Sequence, residues 1–334
     1  MCVSAFLPEK LQNEEKIHMF VKFRTEGFNG YSVKWSPFFE NKLAVASSSN
    51  FGLVGNGRLW LLGVGPEGIV AERVYDTQDG LFDIAWSEVN ENQLVTSSGD
   101  GSIKLWDATL ADFPIQNWQE HQREVFSVDW NLITKDIFSS GSWDHTVKIW
   151  NPQAPRSLQT YTEHTHCVYS TAWSPYNPTL LMSGSGDQTV KVWDIKSPRS
   201  VQTIRAHHNE VLSVDWNKYQ DNMLVTGSVD RTVKVWDMRR PDREVVCLAG
   251  HEYAVRRVKC SPHRPNVVAS AGYDMSVRFW DTAAPPGRNM MEVHDAHTEF
   301  VLGVDFNLYM EGQVATCAWD ENLHVFMPPS LLRR

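Results

Sequence analysis

Cysteine is scarce in this sequence, and its spacing excludes two common kinds of site. Five cysteines stand far apart among 334 residues, and none belongs to a CxxC pair. The pattern therefore favours neither a zinc site nor a disulfide framework, and it is typical of a reducing compartment. The residues are Cys2, Cys167, Cys247, Cys260 and Cys317.

Positive charge and long apolar runs are also in short supply. The formal net charge is −9, and no run of Lys or Arg exceeds two residues. This balance argues against nucleic acid and anionic membrane as partners, and it leaves the Arg239–Arg240–Arg243 cluster as a solvated loop. The first twenty residues hold no apolar stretch typical of a signal peptide or a membrane span, and the final residues are not an SKL-type address. We expect a cytoplasmic chain without direct membrane insertion.

What the sequence does contain is a repeat of about 44 residues. Five tryptophans end similar strands, such as "VKVW", at spacings of 44, 43, 43 and 44 residues. An aspartate stands six residues before each tryptophan, and a histidine precedes most of these aspartates by 23 residues. The tryptophans are Trp106, Trp150, Trp193, Trp236 and Trp280. A period of this length with several short strands is typical of propeller blades.

The repeat resembles that of the WD-repeat family, which implies an all-β, seven-bladed β-propeller forming one domain over residues 1–334. The blades are expected at about 28–73, 74–117, 118–160, 161–203, 204–247, 248–292 and 293–327. The last blade lacks an outer strand, so a strand at 17–24 is predicted to pair with it and close the ring without an open edge. Residues 1–16 are expected to be flexible.

The repeated histidines and aspartates predict a buried hydrogen-bonded set in each blade, completed by a strand Ser or Thr such as Ser139 or Thr226. A His–Asp pair beside serine also suggests a catalytic triad, but an enzyme does not need five copies of one active site. The structural set is His121, Asp144, His164, Asp187, His207, Asp230, His251, Asp274, His297 and Asp320.

The remaining motifs do not indicate a phosphate-binding or a metal-binding site. "GLVGNG" at 52–57 lacks the Gly-Lys-Ser/Thr ending and the following helix of a phosphate cradle, and it is interpreted as a turn between strands. The pairs His164–His166 and His207–His208 show no further metal ligands. We therefore expect no enzyme, no cofactor and no metal.

A binding face is predicted where loops meet at one end of the propeller. Aromatic or apolar residues directly precede several repeated aspartates, and acidic or aromatic residues occupy the turns before the inner strands. An acidic rim around an aromatic centre suits an amphipathic helix that carries Arg or Lys, although the aromatic side chains could instead pack on neighbouring blades. The candidate residues are Trp143, Val229, Tyr273 and Trp319, with Asp79, Glu124, Glu210, Tyr253 and Phe300.

Blade one differs from the other blades, because it lacks the histidine and the aspartate. Trp35 and Trp60 are nevertheless expected in the register of Trp130 and Trp150. Its sequence from Thr25 to Trp60, together with "DGLFDIAWSE", "SGSWDHTVKIW" and "AVRRVKCSP" further on, resembles the cytosolic receptors for the type 2 peroxisomal targeting signal. The resemblance runs from about Phe23 to Phe326.

This second resemblance implies a cargo receptor that cycles between the cytoplasm and the peroxisome. Such receptors bind an N-terminal signal of a basic residue, an aliphatic residue, five free positions, His or Gln, and Leu or Ala. The implied partners are matrix enzymes such as a thiolase, a co-receptor peroxin and the peroxisomal docking complex. The alternative is a generic WD-repeat scaffold, such as a ubiquitin-ligase substrate adaptor or a histone chaperone. A histone chaperone would need a long N-terminal helix, for which Pro8–Lys16 is too short.

Overall fold

The chain forms a seven-bladed β-propeller. The computed structural model describes residues 20–110 and 113–332, which build seven antiparallel sheets of four strands each. The predicted flexible residues 1–16 and positions 17–19 of the predicted closing strand lie outside the described residues. No helix among the described residues is long and apolar enough to cross a membrane.

The first four sheets take their strands in chain order. Sheet one contains β2 (Asn29–Trp35), β3 (Lys42–Ser48), β4 (Gly57–Gly65) and β5 (Gly68–Thr77). Sheet two contains β6 (Leu81–Trp86), β7 (Gln93–Ser98), β8 (Ser102–Asp107) and β9 (Gln116–Gln119). Sheet three contains β10 (Val125–Trp130), β11 (Phe138–Ser142), β12 (Val147–Trp150) and β13 (Gln159–Tyr161). Sheet four contains β14 (Val168–Trp173), β15 (Leu180–Ser185), β16 (Thr189–Asp194) and β17 (Ser200–Arg205).

The last three sheets repeat this arrangement, but the seventh borrows a strand from the start of the chain. Sheet five contains β18 (Val211–Trp216), β19 (Met223–Ser228), β20 (Thr232–Asp237) and β21 (Val246–Ala249). Sheet six contains β22 (Val255–Cys260), β23 (Val267–Gly272), β24 (Val277–Asp281) and β25 (Met290–His294). Sheet seven contains β26 (Val301–Phe306), β27 (Val314–Ala318), β28 (Asn322–Phe326) and β1 (Val21–Arg24), and a short helix, α1 (Pro329–Leu332), follows it.

The hydrophobic core is divided among the gaps between neighbouring sheets. Seven clusters of buried side chains fill these gaps, one for each pair of adjacent sheets, and the last of them joins sheet seven to sheet one. In the gap between sheets four and five, for example, Val190 and Ile204 pack against Val211 and Val214. Because every gap excludes water from both sheets, the apolar burial that stabilises the fold is spread around the whole ring.

The first strand closes the ring, which confirms the predicted closure. Strand β1 pairs antiparallel with β28, and Phe23 lies opposite Leu323. An exposed ion pair between Arg24 and Glu321, 3.2 Å from nitrogen to oxygen, flanks this pairing. The free edge that β28 would otherwise present is therefore covered by backbone hydrogen bonds.

The register of blade one differs in part from the prediction. Trp35 lies opposite Leu43 as Trp130 lies opposite Phe138, so this part of the prediction is confirmed. The expected match of Trp60 with Trp150 is wrong, because Leu62 takes the place of Trp150. A shift of two residues keeps every side chain on its own face of the sheet, so the hydrophobic pattern alone could not detect it.

The repeated histidines lie inside the blades, where each bonds an aspartate and the hydroxyl of a Ser or Thr. In blade three, His121 Nδ1 lies 2.8 Å from Asp144 and its Nε2 lies 2.7 Å from the hydroxyl of Ser140, to which Trp150 donates its indole N–H. Sets of the same kind occur around His164, His207 and His251.

Blades one and two lack the histidine, blade seven departs in another way, and one predicted partner is wrong. Ser139 is not the hydroxyl partner of His121, because it points to the other face of the strand and contacts Asp129 and Thr171. In blade seven His297 bonds Asp320 and Thr316, each at 2.9 Å, but Phe326 replaces the tryptophan. Thr226 does bond His207, at 2.6 Å.

Candidate functional site

One face of the propeller carries a cavity whose wall comes from the same position in all seven inner strands. Each inner strand has a β-bulge near its start, at the third residue of β2 and at the second residue of the other six, where one residue is left out of the ladder with the neighbouring strand. A bulge turns its side chain away from the regular alternation. The seven side chains that line the cavity in this way are Tyr31, Phe82, Phe126, Tyr169, Leu212, Arg256 and Leu302.

The cavity has a volume of about 460 Å³. Residues of the surrounding turns complete its wall, namely Asp79, Glu124, Trp143, Glu210, Val229, Tyr273 and Trp319. A volume of this size is typical of sites that enclose a small ligand or a few side chains of a larger one.

Aromatic side chains form a continuous arc around the cavity. Trp143 stacks on Phe126 with ring centroids 4.7 Å apart and planes inclined by 8°. Phe126 in turn stacks on Phe82 at 4.6 Å, and Phe82 contacts Tyr31 at 4.8 Å. The arc continues from Tyr31 to Trp319 at 5.8 Å. These rings fix one another, so the apolar wall is formed before any ligand arrives.

The loop of blade one closes one side of the cavity. The segment "GLVGNG" is not a simple tight turn, because an eight-residue loop joins β3 and β4 and begins with a short 3₁₀ turn at Asn50–Gly52. The amide of Phe51 donates to Asn29 at 2.8 Å, and Tyr31 donates its hydroxyl to the Phe51 carbonyl at 2.7 Å. Gly52 has a φ of 71°, and a Cβ there would collide with the Tyr31 hydroxyl.

Three carboxylates stand around the aromatic arc. Tyr169 donates its hydroxyl to Glu210 at 3.0 Å, and burial together with this carboxylate raises the pKa of Tyr169. Burial also raises the pKa of Asp79, although it accepts the Gly80 amide at 2.7 Å. Glu124 has a cation nearby, since Arg123 lies 3.6 Å from it. The rim is therefore acidic, and Asp79 and Glu210 have no ion-pair partner among the described residues.

Arg256 places a buried cation at the cavity. Its side chain is among the largest fully buried ones, and its Nη2 has no hydrogen-bond partner in the described part of the chain. Its Nη1 reaches only the Leu212 carbonyl, at 3.4 Å. Burial lowers the pKa of this guanidinium because the charged form loses hydration. The indole N–H of Trp143 is likewise buried without an acceptor within residues 20–110 and 113–332.

The channel below the cavity contains a buried ion pair. Arg257, one residue beyond the bulge of β22, lies 3.1 Å from Asp83 of the inner strand of blade two. Asp83 also accepts the Ser32 hydroxyl at 2.7 Å. Burial alone would raise the pKa of Asp83, but the nearby Arg257 and Lys34 and the hydrogen bonds outweigh it, so the pKa is lowered. This ion pair joins the inner strands of blades two and six across the channel.

The structure brings seven of the nine candidate binding residues to the cavity and leaves two outside. Tyr253 is 62% exposed and does not line it. Phe300 lies behind the wall, where it stacks on Tyr273 at 4.8 Å and contacts Trp319 at 5.3 Å. The seven residues are Asp79, Glu124, Trp143, Glu210, Val229, Tyr273 and Trp319.

Sequence reasoning missed the bulge residues, although the repeat carries a signal for them. The residue after the first position of the inner strand is large in six blades, for example Phe82, Phe126 and Tyr169, and in blade one Tyr31 stands one position later. Strict alternation would place this residue beside the sheet rather than at its end, and only the bulge turns it toward the cavity.

A possible metal cluster lies away from the cavity. Among the described residues, one group of three candidate ligands comes close together, formed by His294, His297 and His324. The sequence pairs considered for metal do not join it, since His164 belongs to its blade's hydrogen-bonded set and His166 stacks near His145.

Comparison with known families agrees with the architecture. The family described as EIPR1 beta-propeller matches residues 153–280. The family described as WD domain, G-beta repeat, matches residues 72–107 and 113–151.

Curated relatives extend the similarity over most of the chain. A peroxisomal targeting signal 2 receptor of Dictyostelium discoideum is 62% identical over 288 residues, which cover 86% of this chain and 91% of the relative. Peroxisome biogenesis protein 7 of Arabidopsis thaliana is 58% identical over 303 residues, 90% of this chain and 95% of the relative. A peroxisomal targeting signal 2 receptor of Mus musculus is 47% identical over 309 residues, which cover 92% of this chain and 96% of the relative.

Proposed function

The chain belongs to the family of peroxisomal targeting signal 2 receptors, and from this membership we propose that it is a cytosolic cargo receptor. It binds the N-terminal type 2 signal of peroxisomal matrix enzymes in the cavity described above. Together with a co-receptor it delivers them to the peroxisomal docking complex, and it cycles between the cytosol and the peroxisome. A thiolase is one such cargo. The role of the receptor chain itself is binding, without catalysis.

The observation that carries this proposal is the meeting of an acidic rim and an aromatic wall in one cavity. The signal places a basic and an aliphatic residue seven positions before a His or Gln and a Leu or Ala. Seven residues make about two turns of an α-helix, so these four residues lie near one face. A helix that presents a cation beside apolar side chains matches carboxylates beside aromatic rings.

The cavity residues divide into two groups by chemistry. Asp79, Glu124 and Glu210 meet the basic residue of the signal, because they supply the negative charge of the rim. The apolar wall of Trp143, Val229, Tyr273 and Trp319 meets the aliphatic residues. In addition, the unpartnered N–H groups of Arg256 and Trp143 offer donors to carbonyl or side-chain acceptors of the signal.

A fluorescent peptide of the form R-L-x5-H-L tests the proposal. Its fluorescence anisotropy is measured with the full chain and its co-receptor. We expect the wild type to bind the peptide and the double variant Asp79→Arg with Glu124→Arg to lose at least tenfold in affinity, because two attractive charges become repulsive.

A matched control separates the site from net charge. Glu91→Arg with Asp136→Arg changes the charge by the same amount at exposed positions that do not line the cavity. This control is expected to bind the peptide like the wild type. Equal affinity of the cavity variant and the wild type would overturn the site assignment, and absence of binding by the wild-type complex would overturn the function.

A further inference from the structure

Two repeat positions carry histidine where the propeller closes, although other residue types fill them elsewhere. His324 of β28 lies opposite Thr316, the position that Lys148 takes opposite Ser140 in blade three. In the other repeats with the tryptophan motif this position is Lys104, Lys191, Lys234 or Arg278. His294 of β25 takes a position that is buried and apolar or aromatic in the outer strands of blades one to five, namely Tyr75, Trp118, Tyr161, Ile204 and Leu248.

The two exceptional histidines meet each other. His294 Nε2 lies 3.2 Å from His324 Nδ1, and the two rings are perpendicular. His324 is fully buried, and its Nε2 has no hydrogen-bond partner among the described residues. The ring of His297 stacks on that of His324 at 3.8 Å, and one ring nitrogen from each of the three histidines lies within 4.8 Å of the others.

This separation of nitrogens matches shared coordination of an ion. Zinc binds imidazole nitrogen at about 2.0–2.1 Å, so two ligands at a tetrahedral angle stand about 3.3 Å apart. The His294–His324 distance of 3.2 Å equals that spacing within 0.1 Å. A hydrogen bond between two neutral imidazoles gives the same distance, and the zinc titration of the variants below distinguishes the two arrangements.

The third histidine is held less firmly than its counterparts in other blades. Where a tryptophan is present, as in blade three, its indole N–H fixes the Ser or Thr hydroxyl that bonds the histidine. Thr316 receives no such bond, since Phe326 replaces the tryptophan. His297 Nε2 can therefore leave Thr316 at a lower cost than the equivalent nitrogen of a complete set.

We propose that His294, His324 and His297 form a binding site for a divalent transition-metal ion of zinc type at the closure of the propeller. Three imidazoles suit zinc, copper or nickel better than magnesium or calcium, which prefer oxygen ligands. His294 is only partly buried, so an ion can reach the cluster from solvent. An ion here would link β25 of blade six to β28, the strand that pairs with β1.

The repeat itself supplies variants that test the site. His324→Lys and His294→Leu introduce residues that the same positions hold in other blades, such as Lys234 and Leu248, so both variants are expected to fold. His166→Leu is the matched control, because it removes an exposed histidine outside the cluster. The full-length protein is stripped with chelator and titrated with zinc chloride by calorimetry. Thermal unfolding is followed with and without zinc.

The wild type and the control are expected to bind one zinc per chain, with a higher unfolding temperature when zinc is present. Each cluster variant should bind zinc at least tenfold more weakly and lose the temperature shift, because one ligand is missing. In addition, cobalt(II) bound to the wild type should give the visible absorption of nitrogen coordination, and the cluster variants should not. A wild type that binds no zinc, or cluster variants that bind it like the wild type, would overturn the proposal.

Discussion

The guanidinium of Arg256 lies 5.7 Å from the centroid of the Phe126 ring, in the wall of the cavity. The neighbouring residue Arg257 lies on the other side of the strand and bonds the buried carboxylate of Asp83. Two adjacent buried arginines thus have opposite surroundings, because one faces an aromatic ring and an open cavity and the other faces an anion.

This contrast predicts opposite effects of the same substitution. Arg257→Met is expected to cost about 3–5 kcal/mol of unfolding free energy, because Asp83 remains buried without its cation. Arg256→Met is expected to leave the stability unchanged or raise it, yet to weaken binding of the R-L-x5-H-L peptide at least tenfold. Urea unfolding and fluorescence anisotropy measure the two effects. A destabilised Arg256→Met variant with normal affinity would show that this arginine serves the fold.

The buried histidine sets predict unequal costs for equivalent aspartates. Asp230→Ala should cost about 1–3 kcal/mol, because His207 loses the acceptor that its Nδ1 contacts at 2.8 Å. Asp100→Ala should cost less, since Asp100 bonds Ser102 and Lys104 and no histidine depends on it. Denaturant unfolding of the two variants measures the difference. Equal costs would mean that the histidine contributes nothing to the blade.

Stability is expected to fall as the solution becomes mildly acidic. Burial lowers the pKa of His121, His164 and His207, more than their aspartates raise it. Below about pH 6.5 the unfolded chain therefore binds protons that the folded chain does not bind. The free energy of unfolding has its full value above that pH and declines below it. Each histidine contributes a slope of up to about 1.4 kcal/mol per pH unit.

Urea unfolding at neutral pH and near pH 5.5 checks this expectation. The wild type should be less stable at the lower pH, and His207→Gln should show a smaller difference between the two conditions because one such group is gone. Equal stability of the wild type at both pH values would contradict the neutral state of these histidines.

Close packing between blades predicts that Gly227 cannot carry a side chain. A Cβ there would lie 2.8 Å from Cγ1 of Val255 and 2.9 Å from Cγ1 of Val258, on the inner strand of the next blade. Gly227→Ala should therefore cost about 1–3 kcal/mol, and Gly227→Arg should prevent folding. Gly65→Ala is the control, because a Cβ there meets its nearest neighbour, the Gly68 carbonyl, at 3.9 Å. Thermal unfolding distinguishes the pair, and similar melting temperatures would contradict the packing argument.

The sequence was sufficient for the architecture because its period repeats the same physical requirements in each blade. His207, Asp230 and Trp236 recur at spacings that only a repeated sheet explains, and the need to cover the edge of β28 predicted a strand near Phe23. The register of Trp60 could not be predicted in this way, since a shift of two residues leaves every side chain on the same face of the sheet. The choice between Ser139 and Ser140 also required the structure, since the motif does not show which serine faces the histidine.

The candidate site was predicted in part. Turn residues such as Trp143 and Glu124 were identified because turns of a propeller gather at its ends. Arg256 and Phe82 were not, because regular alternation along a strand does not point their side chains toward the cavity, and the direction that they take depends on the bulges. The cluster around His294 was missed for a different reason. Its members come from two blades. His294 and His324 look like ordinary departures from the repeat, and His297 looks like a regular repeat histidine.

Closure by β1 also has a consequence for the order of events during synthesis. The ribosome makes Val21–Arg24 about 300 residues before it makes the partner strand, Asn322–Phe326. At about 5–20 residues per second the first strand waits roughly 15–60 s for its partner. Throughout that interval the growing protein is an open arc with exposed backbone at its end. The final pairing therefore waits until β28 has been made, and a nascent chain that stalls before Asn322 cannot complete it.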